Sequence, residues 1–222
     1  MEQLSAAHVA ALAVTVALAG LAVVAARRGG ERVGRGLARA LAVVILTAFL
    51  LEQLTYAERG AWSAQVNLPF QLSDAVALVS VLALWRPRTP VLVELVYFWA
   101  FSASLQAVLT PDLGETFPDV LYFTYFGAHS GAVVAACLLV LGLGRVPRPG
   151  AAWRAFGMTA AFTALAALAT IATGGNYMFL RHKPAHGSLL DVMGPWPLYI
   201  LAGAALGLVM FVALERLARL GR

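Results

Sequence analysis

The sequence predicts an all-α, polytopic integral membrane protein, a single domain over 1–222 with seven transmembrane helices, its N-terminus outside and its C-terminus in the cytoplasm. Three observations carry this. Of 222 residues, 61% are hydrophobic and only 12% charged, too little polar surface to coat a water-soluble globule. The mean hydropathy of +0.80 says the same. The apolar residues fall in blocks of about 20, the length a helix needs to span hydrocarbon and about twice that of a barrel strand. Basic residues collect between alternate blocks. In lipid every backbone N–H and C=O must find an internal partner, which leaves the helix as the element for blocks of this length.

The blocks lie at 6–26, 37–56, 68–85, 91–110, 119–144, 152–173 and 196–215. The first follows Glu2, an acid where a secretory signal wants a base, and is expected to be a retained span. The third opens on Asn67, Leu68 and Pro69, and proline suits a first helical turn. Pro87 with Pro90, Pro111, Pro147 with Pro149 and Pro195 with Pro197 mark block ends. Trp62, Trp85, Trp153 and Trp196 lie near the same boundaries, where amphipathic rings favour the headgroup layer, and Trp99 is the internal exception.

Orientation follows from the arginines, because positive residues are retained on the cytoplasmic side. Arg27, Arg28, Arg32, Arg35 and Arg39 flank the first connection, Arg86 and Arg88 the third, and Arg145, Arg148 and Arg154 the fifth, while Arg216, Arg219 and Arg222 close the chain. The opposite side holds only Arg59, Arg181 and Lys183. Seven spans with the N-terminus outside put every arginine-rich segment inside. The excess of 16 Lys and Arg over 11 Asp and Glu therefore reads as an orientation signal beside an anionic membrane face, not as a nucleic-acid surface. Cys137 is the only cysteine, which excludes an intramolecular disulfide and a paired thiol metal motif.

Polar residues inside the blocks need a reason, since an ionisable side chain near mid-bilayer costs about 2.5 to 3.5 kcal/mol. Glu52, Gln71, Ser73, Asp74, Gln106 and His129 all fall in the outer half when span direction is converted to depth. Glu94 lies near the inner surface, where interfacial solvation accounts for it. Asn67, Gln71 and Asp74 recur at i, i+4 and i+7, a stripe down one helical face. Two readings stand: a hydrogen-bond network joining helices, or a polar cavity opening outward across spans two to five and meeting the sixth connection. That connection, Gly174 to Pro195, is the longest outer segment. Arg181 and Lys183 there are charge-assisted donors for a phosphate or interfacial anchors. His182 and His186 are four apart, but Pro184 lies between them and no further ligand is evident, so no metal is expected.

Five segments carry a family resemblance: LPFQLSD at Leu68–Asp74, ELVYFWAFSASLQAVLTPDL at Glu94–Leu113, AHSG around His129, NYMFLRHKP at Asn176–Pro184 and GSLLDVMGPWPLY at Gly187–Tyr199. In these the chain resembles the YwaF-like bacterial integral membrane proteins, relatives of animal transmembrane protein 164. The animal relative resembles an acyltransferase acting on phospholipids, with a cysteine nucleophile in the segment matching LPFQLSD. A more distant similarity links the architecture to intramembrane lipid-ester hydrolases that use threonine and histidine. The resemblance implies Ser73 at the nucleophile position, where serine replaces the usual cysteine, and His129 as the histidine.

Acyl transfer needs a nucleophile, a base and donors for the oxyanion. Ser73 and His129 supply the first two, and the amides of Gln71 or Gln106 the third. Asp74 or Glu52 would orient the histidine as a third triad member does. A serine hydroxyl stays protonated where a thiol is already partly thiolate, so the substitution makes His129 more necessary. Asn176, Tyr177, Arg181 and Lys183 are the candidate substrate contacts. Membrane lipids are the expected partners, no cofactor is expected, and the bacterial cytoplasmic membrane is the expected location. The competing class is a lipid-binding protein or a small-solute or proton transporter using Glu52, Asp74 and His129.

Overall fold

The computed structural model describes residues 3–184 and 188–220, so Glu2, His186 and Arg222 lie outside the described residues. Among the described residues all regular structure is helical. The helices are α1 Ala6–Glu58, α2 Leu72–Trp85, α3 Pro90–Trp99, α4 Leu105–Leu109, α5 Val120–Cys137, α6 Ala151–Thr173 and α7 Leu198–Leu220. A π-helical turn, Ala100–Ser104, joins α3 to α4, and a second, Leu138–Gly142, extends α5. Five helical stretches are long and apolar enough to cross a membrane: Ala6–Glu58, Pro90–Leu109, Val120–Gly142, Ala151–Thr173 and Leu198–Leu220. The apolar α2 is shorter, at 14 residues. The chain divides into two compact units, Met1–Ala61 with Ser73–Arg148, and Trp62–Leu72 with Pro149–Arg222.

In the first unit, α1 absorbs the first two apolar blocks and the arginine segment between them. Straight, its 53 residues would reach about 80 Å at 1.5 Å per residue. It turns back instead at Gly30, whose φ of 68° and ψ of −169° belong to a region essentially reserved for glycine. Its two halves then flank α5. Near the start of α5, the Tyr122 hydroxyl donates to the Ala7 carbonyl at 2.7 Å, while Arg59 pairs with Asp119 at 2.9 Å. Midway, the hydroxyls of Thr15 and Ser130 meet at 2.7 Å, and the Ile45 side chain lies over Gly131. Small residues at these crossings let helices approach closely. At the bend, Glu31 gathers Arg88 at 2.6 Å, Arg145 at 3.4 Å and Arg35 at 3.5 Å. The Arg88 hydrogen bond holds its carboxyl below the usual range.

The stretch α3–α4 runs antiparallel to α5. The Tyr125 hydroxyl donates to the Ala107 carbonyl at 2.9 Å, and Tyr97 lies within electrostatic reach of Cys137. Glu94 corrects the expectation of interfacial solvation. It is 1% exposed and accepts from the Arg148 Nε at 2.8 Å, a second guanidinium nitrogen at 3.1 Å and the Arg148 backbone N–H at 3.1 Å. A charge this deep needs pairing and hydrogen bonds together, and Arg148 supplies both.

The third block also differs from expectation. Its helix begins at Leu72, not at Pro69, and Asn67 stands in a turn where its side-chain oxygen accepts from the Ser63 N–H at 2.9 Å. Proline pushes the residue before it out of the helical region, so Leu68 cannot open a helix there and the i, i+4, i+7 stripe is not one helical face.

In the second unit, Glu215 of α7 caps α6: its carboxylate accepts from the N–H groups of Gly150 at 2.8 Å and Ala152 at 2.7 Å. Helix starts leave such donors unpaired, and Gly150 has no side chain to serve them. The segment 62–72 is tied to the sixth connection by Tyr177, which is fully buried. Its hydroxyl donates to the Ala64 carbonyl at 2.7 Å and accepts from the Leu68 N–H at 3.1 Å. Phe70 meets the Tyr177 ring edge-on, with centroids 5.4 Å apart.

Candidate functional site

His129 lies on α5, one turn beyond Tyr125. It is 7% exposed, and its Nδ1 has no hydrogen-bond partner. The Tyr125 ring meets it edge-on, with centroids 4.3 Å apart. Leaving a buried polar atom unpaired costs about 1 to 3 kcal/mol, so this nitrogen is a departure from ordinary packing. The Tyr125 hydroxyl, bonded to Ala107, lies within electrostatic reach of Asp112, Glu52 and Asp74. Tyr125 thus meets the His129 ring and lies in the field of Glu52 and Asp74. Ser73 adjoins Asp74 in the first turn of α2 and is half-buried. A helix N-terminus carries partial positive charge, an environment that favours negative charge developing on a hydroxyl oxygen.

Gln106 is not brought to this group. It is exposed, and its amide nitrogen donates to the Thr110 hydroxyl at 2.7 Å. The remaining candidates belong to the second unit, where most hold backbone. The Gln71 side-chain oxygen accepts from the Met178 N–H at 2.9 Å. The Asn176 side-chain oxygen accepts from the Arg181 N–H at 2.9 Å, and its nitrogen donates to the His182 carbonyl at 2.8 Å. Arg181 donates to the Gly174 carbonyl at 2.9 Å, and Lys183 stands 3.9 Å from Asp191. Met178 and Phe179 hold φ of 52° and 56°, left-handed values uncommon outside glycine. Their strain is held by the bonds on either side, including one from the Tyr199 hydroxyl to the Phe179 carbonyl. Among the described residues no group of three or more His, Cys, Asp or Glu could hold a metal ion. The His182 Nδ1 lies 3.1 Å from the Asn176 amide nitrogen, and His186 is outside the described residues.

The model of the TMEM164 family matches residues 3–214. The chain belongs to the TMEM164 family. It is also 32% identical over 185 residues to an uncharacterized protein of Treponema pallidum (strain Nichols), covering 80% of this chain and 73% of that one. No solved structure matches it. Membership of the TMEM164 family and the apolar helices together make this a multi-pass membrane protein.

Several residues of this family member escape a reading by block and depth. His8 is fully buried, accepting from the Leu4 N–H at its Nδ1 at 3.0 Å and donating from its Nε2 to the Val108 carbonyl at 2.9 Å. One partner only donates and the other only accepts, which fixes the tautomer. Its position near the chain start, three residues after a capping serine, conceals it. Tyr125 is concealed among the aromatics of α5. Ser104, fully buried with an unpartnered hydroxyl, sits in a run of small residues; the π-helical turn that ends on it leaves no mark in the sequence.

Proposed function

We propose that this protein is a seven-span protein of the bacterial cytoplasmic membrane, N-terminus outside, that transfers or hydrolyses acyl groups of membrane lipids with Ser73 as nucleophile and His129 as its base. The observation that carries the reading is the buried His129 ring with an unpartnered nitrogen, packed against a tyrosine that lies in the field of Glu52 and Asp74. The span count counts the halves of α1 on either side of Gly30 separately and adds α2, α3–α4, α5, α6 and α7.

In this mechanism the Ser73 oxygen attacks the ester carbonyl carbon while His129 takes the hydroxyl proton. The tetrahedral intermediate collapses, the carbon–oxygen bond to the leaving alcohol breaks, and His129 returns the proton to that alcohol. Water or a second lipid hydroxyl then attacks the acyl-serine, giving up its proton to His129; the bond from the acyl carbon to the Ser73 oxygen breaks, and His129 returns the proton to Ser73. The positive end of α2 favours the charge developing around Ser73. Asp74 or Glu52 is the candidate to stabilise the imidazolium through its charge. In the second unit, Arg181 and Lys183 are suited to a lipid phosphate.

The test is turnover of phospholipids and simpler lipid esters by purified protein beside Ser73→Ala and His129→Ala. Both variants are expected to lose turnover, and a serine-directed electrophile is expected to label Ser73 in the wild type but not in His129→Ala. Equal turnover in all three proteins refutes the pair. A second reading, a proton or small-solute pathway, draws on the same Glu52, Asp74 and His129. Proton-coupled flux in vesicles, without ester turnover by the wild type, would favour it.

A further inference from the structure

Two buried polar atoms in the first unit lack partners at the same level of the fold, the Nδ1 of His129 and the hydroxyl of Ser104. The bond from Tyr125 to Ala107 sets the level of α4 against α5, and α5 also packs along α3 and the π-helical turn. One turn back from Ala107 is Ser104, and one turn on from Tyr125 is His129, which puts the two at the same level. Ser104 is fully buried and His129 is 7% exposed, which leaves bulk water a poor partner for either. Ser104 also closes the π-helical turn Ala100–Ser104, and such turns recur where a helix re-aims a side chain for function.

We propose that Ser104 is the positioning residue for His129, its oxygen accepting the Nδ1–H so that the imidazole is held with Nε2 unprotonated. A histidine has one donor and one acceptor nitrogen when neutral, and the partner of one decides the character of the other. A hydroxyl can accept as well as donate, and Ser104 has no other bond to give up for this one. This assigns to Ser104 the orienting role that the sequence reading gave to Asp74 or Glu52, whose charges then act at longer range. The inference rests on His129 as the base of the proposed acyl chemistry, but the tautomer is measurable without any turnover.

The experiment is ¹⁵N spectroscopy of the His129 ring in full-length protein, labelled at histidine and held in detergent or nanodiscs. The wild type is expected to carry its ring proton on Nδ1. Ser104→Ala is expected to lose that signal and move to the Nε2–H tautomer, while Ser104→Thr, which keeps a hydroxyl, retains it. Ser80→Ala removes another buried, unpartnered hydroxyl and is expected to leave the spectrum unchanged. A wild-type ring protonated on Nε2 overturns the proposal with no variant required, as does a tautomer change in Ser80→Ala in place of Ser104→Ala. An Nδ1–H wild type without lipid-ester turnover overturns the acyl-transfer reading alone, and an Nε2–H wild type with turnover overturns the positioning role alone.

Discussion

Gly131 leaves no room for a side chain against Ile45, because a Cβ there would lie 2.6 Å from the Ile45 Cγ1. The contact fixes how closely the second half of α1 approaches α5. Gly131→Ala is expected to destabilise the first unit by about 1 to 3 kcal/mol, the cost of overpacking a filled site. Ile45→Ala alone should cost about 2 to 5 kcal/mol through the cavity it leaves. The double variant should be more stable than the two costs added, since each relieves the other. Unfolding of the four proteins in one detergent checks this, and simple additivity would mean that the two positions are not in contact.

The seven-span proposal makes a separate prediction about sidedness. Reporters fused after Gly150 and at the C-terminus should behave as cytoplasmic, and one inserted between Asp112 and Asp119 as external. The arginines of the Gly30 bend support this, since Arg27, Arg28, Arg32 and Arg35 lie beside a turn that connects two membrane-length halves of one helix. An external C-terminus would remove the seventh span or reverse the chain.

What the sequence revealed and what it concealed divide along a physical line. Lipid imposes length, so the apolar blocks map onto helices with small shifts at their ends. Depth follows from counting residues along a span, which is how Glu52, Asp74 and His129 come to be read together. The face a residue presents is not readable by counting alone. Gln106 has an exposed side chain, and the π-helical turn Ala100–Ser104 just before it alters the rotation per residue in a way that no count foresees. Glu94 was assigned to solvent because its partner, Arg148, is 54 residues away, beyond any local periodicity. The turn at Asn67 illustrates the reverse case: Pro69 was visible, and its effect on Leu68 outweighed its suitability for a first helical turn.

Asp119 couples the start of α5 to pH. Its carboxylate accepts from the Leu121 N–H at 2.8 Å and pairs with Arg59. The Leu121 bond, followed by the Arg59 bond, holds its pKa below the usual 3.8. A depressed carboxylate contributes stability that is present above the unfolded-state value and lost as pH falls through the folded one. Asp119→Asn should therefore lower the unfolding midpoint at neutral pH and flatten its decline below about pH 4. Arg59→Ala should have a smaller effect, because it keeps the charged carboxylate on the Leu121 N–H at the helix start, where asparagine leaves only a neutral cap. A parallel acid decline in wild type and Asp119→Asn would show that other carboxylates carry it.

Tyr177 separates a structural role from a substrate-binding one. Its hydroxyl is buried and spent twice, on the Ala64 carbonyl and the Leu68 N–H. Tyr177→Phe should thus cost about 1 to 3 kcal/mol by leaving a backbone donor and acceptor unpaired in the second unit. The Phe70 contact should survive, since it uses the ring. Protease cleavage within 62–72 should rise in the variant because two of the bonds that tie that segment to the sixth connection are lost. If Tyr177 instead served mainly to bind lipid, stability and cleavage would be unchanged while the KM for a lipid ester rose. Measuring both on the same preparation decides between the two, because the loss of a backbone tie appears without substrate and the loss of a substrate contact does not.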